Sequence, residues 1–218
     1  MQLNSRGFTI TEVMIALVVN VIILLGLISV FSANTSNTAK TTDIDELSQQ
    51  MEVAMQLMAN DIRRAGYWGN ADSDLNTGVN SNPYMATGMD ITVPSSSCIL
   101  FSYDYSKNGS VPAISSSYDD ERYGYRLSGQ TLQARPPGAS FSCTAAASAW
   151  ENVTDATIVQ ITALSFTLNS TTVPVGATSK TMLVRSVDIS MTGTLVSNTS
   201  VTKTLTQHVR IMNGKYVP

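Results

Sequence analysis

The chain has 218 residues, room for one domain of ordinary size plus an extension. Hydrophobic residues make up 43% of it, charged residues only 13%, and the formal net charge is −3. So mild a charge argues against nucleic acid as a partner, and the Ser-, Thr-, Asn- and Gly-rich remainder suits an exported β-rich domain better than a cytosolic enzyme.

The first element in chain order is apolar. From Val13 to Phe31 the sequence reads VMIALVVNVIILLGLISVF, interrupted only by Asn20, Gly26 and Ser29. About 19 residues at ~1.5 Å rise nearly cover a hydrocarbon core of ~30 Å, so a membrane-spanning helix is expected. The run exceeds the roughly 7–15 apolar residues of a secretory signal and leads into more helix, so it is expected to stay in the mature protein. Arg6 on its near side favours a cytoplasmic N-terminus. Glu12, at the head of the run, is the unusual residue, because a carboxylate in hydrocarbon is costly unless paired.

Arg6-Gly7-Phe8-Thr9-Ile10-Thr11-Glu12 resembles the class III signal of type IV pilins and type II secretion pseudopilins. The resemblance implies cleavage after Gly7 by a prepilin peptidase on the cytoplasmic side, N-methylation of the new terminal residue Phe8, and retention of Glu12. Thr11 departs from the pattern, since a hydrophobic residue is usual there, and the span lacks the Pro that many members carry. Cleavage would expose a cationic amine beside the same apolar surface. That amine could pair with Glu12 of a neighbouring subunit or of its own chain. Glu12 is therefore expected to be an assembly contact; an acid snorkelling at the membrane edge is the plainer alternative.

Next, Ile44, Leu47, Met51, Met55, Met58, Ile62 and Ala65 recur at steps of three and four, one face of an amphipathic helix. Asp43, Asp45 and Glu46 lie early in it and Arg63-Arg64 late, which suits the helix dipole, and Gly66 is a natural stop. Asn34 to Thr42 has poor helix propensity, but with neither Pro nor Gly a continuous helix is favoured. From Phe8 to Ala65 it would reach roughly 87 Å at 1.5 Å per residue. Its Met-rich face is expected to pack on a sheet.

Beyond Gly66 the period changes to two. Ile99 to Tyr105 reads as a strand with aromatic alternation. Tyr123 to Leu127 and Thr131 to Arg135 flank Ser128-Gly129-Gln130, a hairpin signal. Ile158 to Leu168 is β-rich, with a parity shift between Ala163 and Leu164 that suggests a bulge. Val187, Ile189, Met191 and Leu195 alternate, Ser197 to Ser200 turns the chain, and Val201, Leu205, Val209 and Ile211 return. The fold class expected is α+β: a long N-terminal transmembrane and stalk helix packed on an antiparallel β-sheet. Cys98 and Cys143 lie in no metal or C-x-x-C motif. A single disulfide is their natural pairing if the body is outside the cytoplasm, two unrelated buried thiols being the alternative. Its loop of roughly 46 residues would contribute about 4 kcal/mol.

Asp61 to Gly69, with Ala65-Gly66-Tyr67-Trp68-Gly69, then Cys98 to Asp104, then Trp150 and Thr154-Asp155, resemble the PilW family of minor pilins. The resemblance implies a low-abundance subunit joining other minor pilins, the major pilin and a PilY-type tip adhesin in a complex that primes type IV pilus assembly at the inner membrane. Twitching motility, adhesion and DNA uptake would follow from that. The implied organisation is a leader at 1–7, a membrane or filament-core half-helix at 8–31, an amphipathic half-helix at 32–66 and a periplasmic head at 67–218.

Little points to chemistry. His208 stands on a strand, where an exposed or edge position is expected, and no catalytic set can be assembled around it. Asn70 to Gly78 alternates oxygen-bearing side chains but lacks the turn Gly and bidentate Glu of a calcium loop, so a polar loop is expected. Asp119-Asp120-Glu121 reads as a solvated acidic turn. No catalytic residue, cofactor or metal is expected. Two rival readings remain: a minor pseudopilin of type II secretion, and a membrane-anchored periplasmic binding module.

Overall fold

The computed structural model describes residues 7–74, 80–114, 119–176 and 180–217. Residues 1–6 and the end of the Asn70 to Gly78 loop, from residue 75 on, lie outside the described residues. The chain divides into two compact units, residues 1–45 and 46–218, and helix α1 (Ile10–Arg64) contributes to both.

In the first unit the apolar run is uniformly exposed: Val13, Leu17, Ile22, Leu25, Ile28 and Phe31 all face outward. This helix is long and apolar enough to cross a membrane. The weak segment that follows is helical without a break. Its threonines turn their hydroxyls back on the preceding turn: Thr35 donates to the Phe31 carbonyl, Thr38 to Asn34, Thr41 to Asn37 and Thr42 to Thr38, at 2.9–3.1 Å. Side chains that would compete for water in an isolated helix here satisfy themselves on it.

The second unit is a two-sheet head with the end of α1 in its core. Sheet one contains β1 (Thr92–Ser95), β2 (Cys98–Ser102), β3 (Arg122–Ser128), β4 (Thr131–Ala134) and β5 (Glu151–Asn152), in that order and antiparallel throughout. Sheet two contains β6 (Val159–Pro174), β7 (Thr181–Leu195) and β8 (Thr202–Arg210); β9 (Lys215–Val217) pairs with the start of β7. The single sheet expected is thus two, joined along β6 by Ile161 N–H to the Gln130 carbonyl (2.8 Å) and Phe166 N–H to the Ser96 carbonyl (2.7 Å).

The stalk face reads through into the core. Leu47, Met51, Met55, Met58, Ile62 and Ala65 are buried, joined by Ala54 and Ala59. They meet Ile99, Phe101 and Tyr125 of sheet one and Ile161, Phe166, Val187, Ile189 and Met191 of sheet two. Each large apolar side chain so buried contributes about 1.5–3 kcal/mol. Ile44 departs from the expectation: it is half exposed and lies in the first unit, before the head begins.

The hairpin signal holds. Gly129 and Gln130 form a two-residue turn, both at positive φ (55° and 65°), whose twist matches the flanking strands. The bulge in β6 falls at Thr162, between Ile161 and Ala163, one residue before the predicted shift. The strand predicted to reach Tyr105 ends at Ser102, because Tyr103 and Asp104 turn their N–H groups to the carbonyls of Glu121 and Tyr67 instead.

Candidate processing and assembly site

At the N-terminal junction, Gly7, Phe8 and Thr9 precede the helix and are exposed, Phe8 by 86%. α1 begins at Ile10 because Thr9 and Glu12 cap it. Glu12 Oε2 accepts the Thr9 N–H (2.9 Å) and the Thr9 hydroxyl (2.8 Å), while the Glu12 N–H points at Thr9 Oγ1 (3.4 Å). This is a reciprocal capping box, Thr-x-x-Glu, which satisfies N–H groups that the first turn would otherwise leave orphaned. The motif is legible in Thr9-Ile10-Thr11-Glu12, and it gives Glu12 a local structural role that the sequence expectations for this residue do not include. Phe8, Glu12, Ala16 and Asn20 also line one shallow groove with Val13 and Leu17. The polar groups of the junction therefore share a face that is otherwise apolar.

In the head, Cys98 and Cys143 are disulfide-bonded, with Cα atoms 6.2 Å apart. The bridge straps the segment after β4 over the outer face of sheet one, where Leu100, Phe141 and Trp150 form a second apolar cluster. Arg126 holds the same segment from below. It donates to the carbonyls of Cys143 (2.8 Å), Ala145 (2.6 Å) and Ala146 (3.1 Å), and its guanidinium lies 4.4 Å from the Trp150 ring.

The stretches Ala65 to Gly69 and Cys98 to Asp104 meet in space. Gly66 N–H donates to the Ser102 carbonyl (2.8 Å), Asp104 N–H to the Tyr67 carbonyl (2.9 Å), and Gly69 N–H to Asp104 Oδ2 (2.8 Å). At the end of α1, Asp61 takes Arg64 (2.5 Å) and the Tyr125 hydroxyl (2.5 Å), and Arg64 lies 4.7 Å from the Tyr103 ring. Further on, Thr154 Oγ1 accepts the Leu132 N–H at 3.1 Å.

Of the acidic turn only Asp119 is exposed; Asp120 and Glu121 are not solvated as expected. Asp120 is buried between two arginines: Oδ1 accepts Arg122 Nη1 (2.8 Å), and Oδ2 accepts Arg135 Nη2 (2.6 Å) and the Gly138 N–H (2.9 Å). Glu121 is buried as well. Burial alone would raise the Asp120 pKa; Arg135, Gly138 and Arg122 overcome it and hold the carboxyl below its ordinary range. His208 is exposed on edge strand β8, as expected, with Nδ1 2.6 Å from Asp188. Among the described residues no three of His, Cys, Asp and Glu are grouped so that they could hold a metal ion.

A long apolar N-terminal helix, continuing into a head of antiparallel sheets, defines a pilin-like protein. The sequence model of prepilin peptidase-dependent protein B matches residues 40–211, and the chain belongs to that family. No curated protein and no solved structure matches the chain. The matched stretch begins after the Gly7-Phe8 junction.

Proposed function

We propose that the chain is a PilW-like minor pilin of a type IV pilus, cut by the prepilin peptidase between Gly7 and Phe8 and N-methylated on Phe8. The observation that carries this reading is the exposed, non-helical Gly7-Phe8 junction directly before a capped, membrane-length helix, in a chain of a prepilin peptidase-dependent family. Before assembly the helix stores the subunit in the inner membrane, N-terminus inside and head in the periplasm; afterwards it joins the pilus at the cell surface. At the inner membrane the head meets other minor pilins, the major pilin and a PilY-type tip adhesin in the complex that primes assembly. Glu12 serves twice: it caps its own helix through Thr9, and it offers a carboxylate to the amine that cleavage creates. In this reading the chain performs no chemistry of its own.

Intact mass and N-terminal sequencing of the protein purified from its own host provide the test. The expected chain starts at N-methylated Phe8; one that keeps residues 1–7 while still functioning sinks the proposal. Deleting the gene and scoring pilus display against protein secretion separates this reading from a type II pseudopilin.

A further inference from the structure

Asn20, Gly26 and Ser29 interrupt the apolar run of α1, and they differ in what they leave unmet. Gly26 has no side chain to satisfy. Ser29 turns its hydroxyl back to the Gly26 carbonyl at 3.0 Å. Among the described residues the Asn20 side chain makes no hydrogen bond. Its amide carries an NH2 donor and a carbonyl acceptor. It stands near the middle of the Val13 to Phe31 run, where a spanning helix has lipid tails around it. Water does not reach that depth, and an amide left without a partner there is costly.

The surroundings of Asn20 suit a close neighbour. It shares its shallow groove with Glu12, Val13 and Ala16. Val13, Ala16, Asn20, Ile23, Leu27 and Val30 recur at steps of three and four, a seam of the coiled-coil type. All of them are exposed on the single chain, and all lie within the first unit. Ala16, one turn before Asn20, presents only a methyl group, so a second backbone can come near enough for polar groups to meet.

Depth and chemistry together choose the occupant. It must offer a donor and an acceptor at the level of Asn20. A second copy anchored in the same membrane does so with no further condition. Its own Asn20 lies at that depth, and an amide complements an amide across a two-fold axis. A lone Asn in an otherwise apolar seam sets register and a paired state for the same reason. The acid on this face, Glu12, sits at the head of the run and is held by its own Thr9, so the two carboxylates stay at the membrane edge.

We propose that the chain forms a parallel two-helix dimer in the membrane, in register at Asn20, before it enters any filament. The dimer rests on the membrane-storage part of the function proposed above, and needs neither cleavage nor methylation.

The full-length protein in density-matched detergent micelles is followed by sedimentation equilibrium over a range of protein-to-detergent ratios. A reversible dimer is expected. Asn20→Leu should weaken it about three- to tenfold, the usual worth of one interhelical hydrogen bond in a membrane. Asn20→Gln keeps an amide and should retain most of the association. Leu25→Ala, on the far side of the helix from Asn20, should leave it unchanged. A wild-type chain that stays monomeric at the highest ratio overturns the proposal. So does an Asn20→Leu variant that associates as tightly as wild type, or a Leu25→Ala variant weakened as much as Asn20→Leu. Alkaline carbonate extraction of host membranes tells the two readings apart. A chain washed free overturns membrane storage and the dimer with it; an inserted chain that is monomeric overturns the dimer alone.

Discussion

Thr9 decides where α1 begins. Its hydroxyl and N–H hold the Glu12 carboxylate, and its Oγ1 receives the Glu12 N–H. Thr9→Ala should loosen the first turn by about 1 kcal/mol, the usual worth of a Ser or Thr cap. Amide exchange at residues 10–13 in micelles should quicken, and Thr9→Ser should restore it; equal exchange in all three would remove the cap from the account. Asp120 is the other residue on which much rests. Its pKa is lowered on folding, so its stabilisation is fully present above the unfolded carboxylate pKa of about 3.9 and is lost as pH falls through the lower folded value. Asp120→Ala strands two buried guanidinium groups and should cost about 3–5 kcal/mol at neutral pH. Urea midpoints measured from neutral to acid pH should show the gap between variant and wild type narrowing only at the acid end.

Among the elements, β3 shows how tightly sheet one is closed. Gly124 sits opposite Leu100, and a Cβ there would stand 2.7 Å from the Leu100 side chain, 2.9 Å from the Ile99 carbonyl oxygen and 3.1 Å from the Trp150 ring. The carbonyl cannot give way without breaking the pairing of β2 with β3. Gly124→Ala should therefore destabilise the head by about 1–3 kcal/mol, read as a drop in thermal midpoint. Helix α1 and the β3–β4 hairpin were legible because their signals are local: a step of three or four, or a turn with Gly129 at its centre. Strands β1, β5 and β9 were not. They have four, two and three residues, too few for alternation to register, and β1 contains Pro94.

For the molecule as a whole, the disulfide is the covalent tie that can be removed most cleanly. Cys98 and Cys143 enclose a sequence separation of 45, and closing such a loop is worth about 4 kcal/mol. A Cys98→Ser, Cys143→Ser double variant should lose about that much, measured as a lowered denaturant midpoint; an unchanged midpoint would mean that Arg126 and its three carbonyl contacts hold the segment alone. The sequence by itself determined the long helix, the apolar face turned into the head, the β character of the body and the pairing of its two cysteines. Each follows from period, composition or a count of two. Only the tertiary structure decided that the body is two sheets, that Asp120 is caged by Arg122 and Arg135, and that Gly69 meets Asp104. Arg135 lies 15 residues from Asp120 and Gly69 lies 35 from Asp104, and burial changes what a charge does: an acidic run reads as a wet turn until the fold removes the water around it.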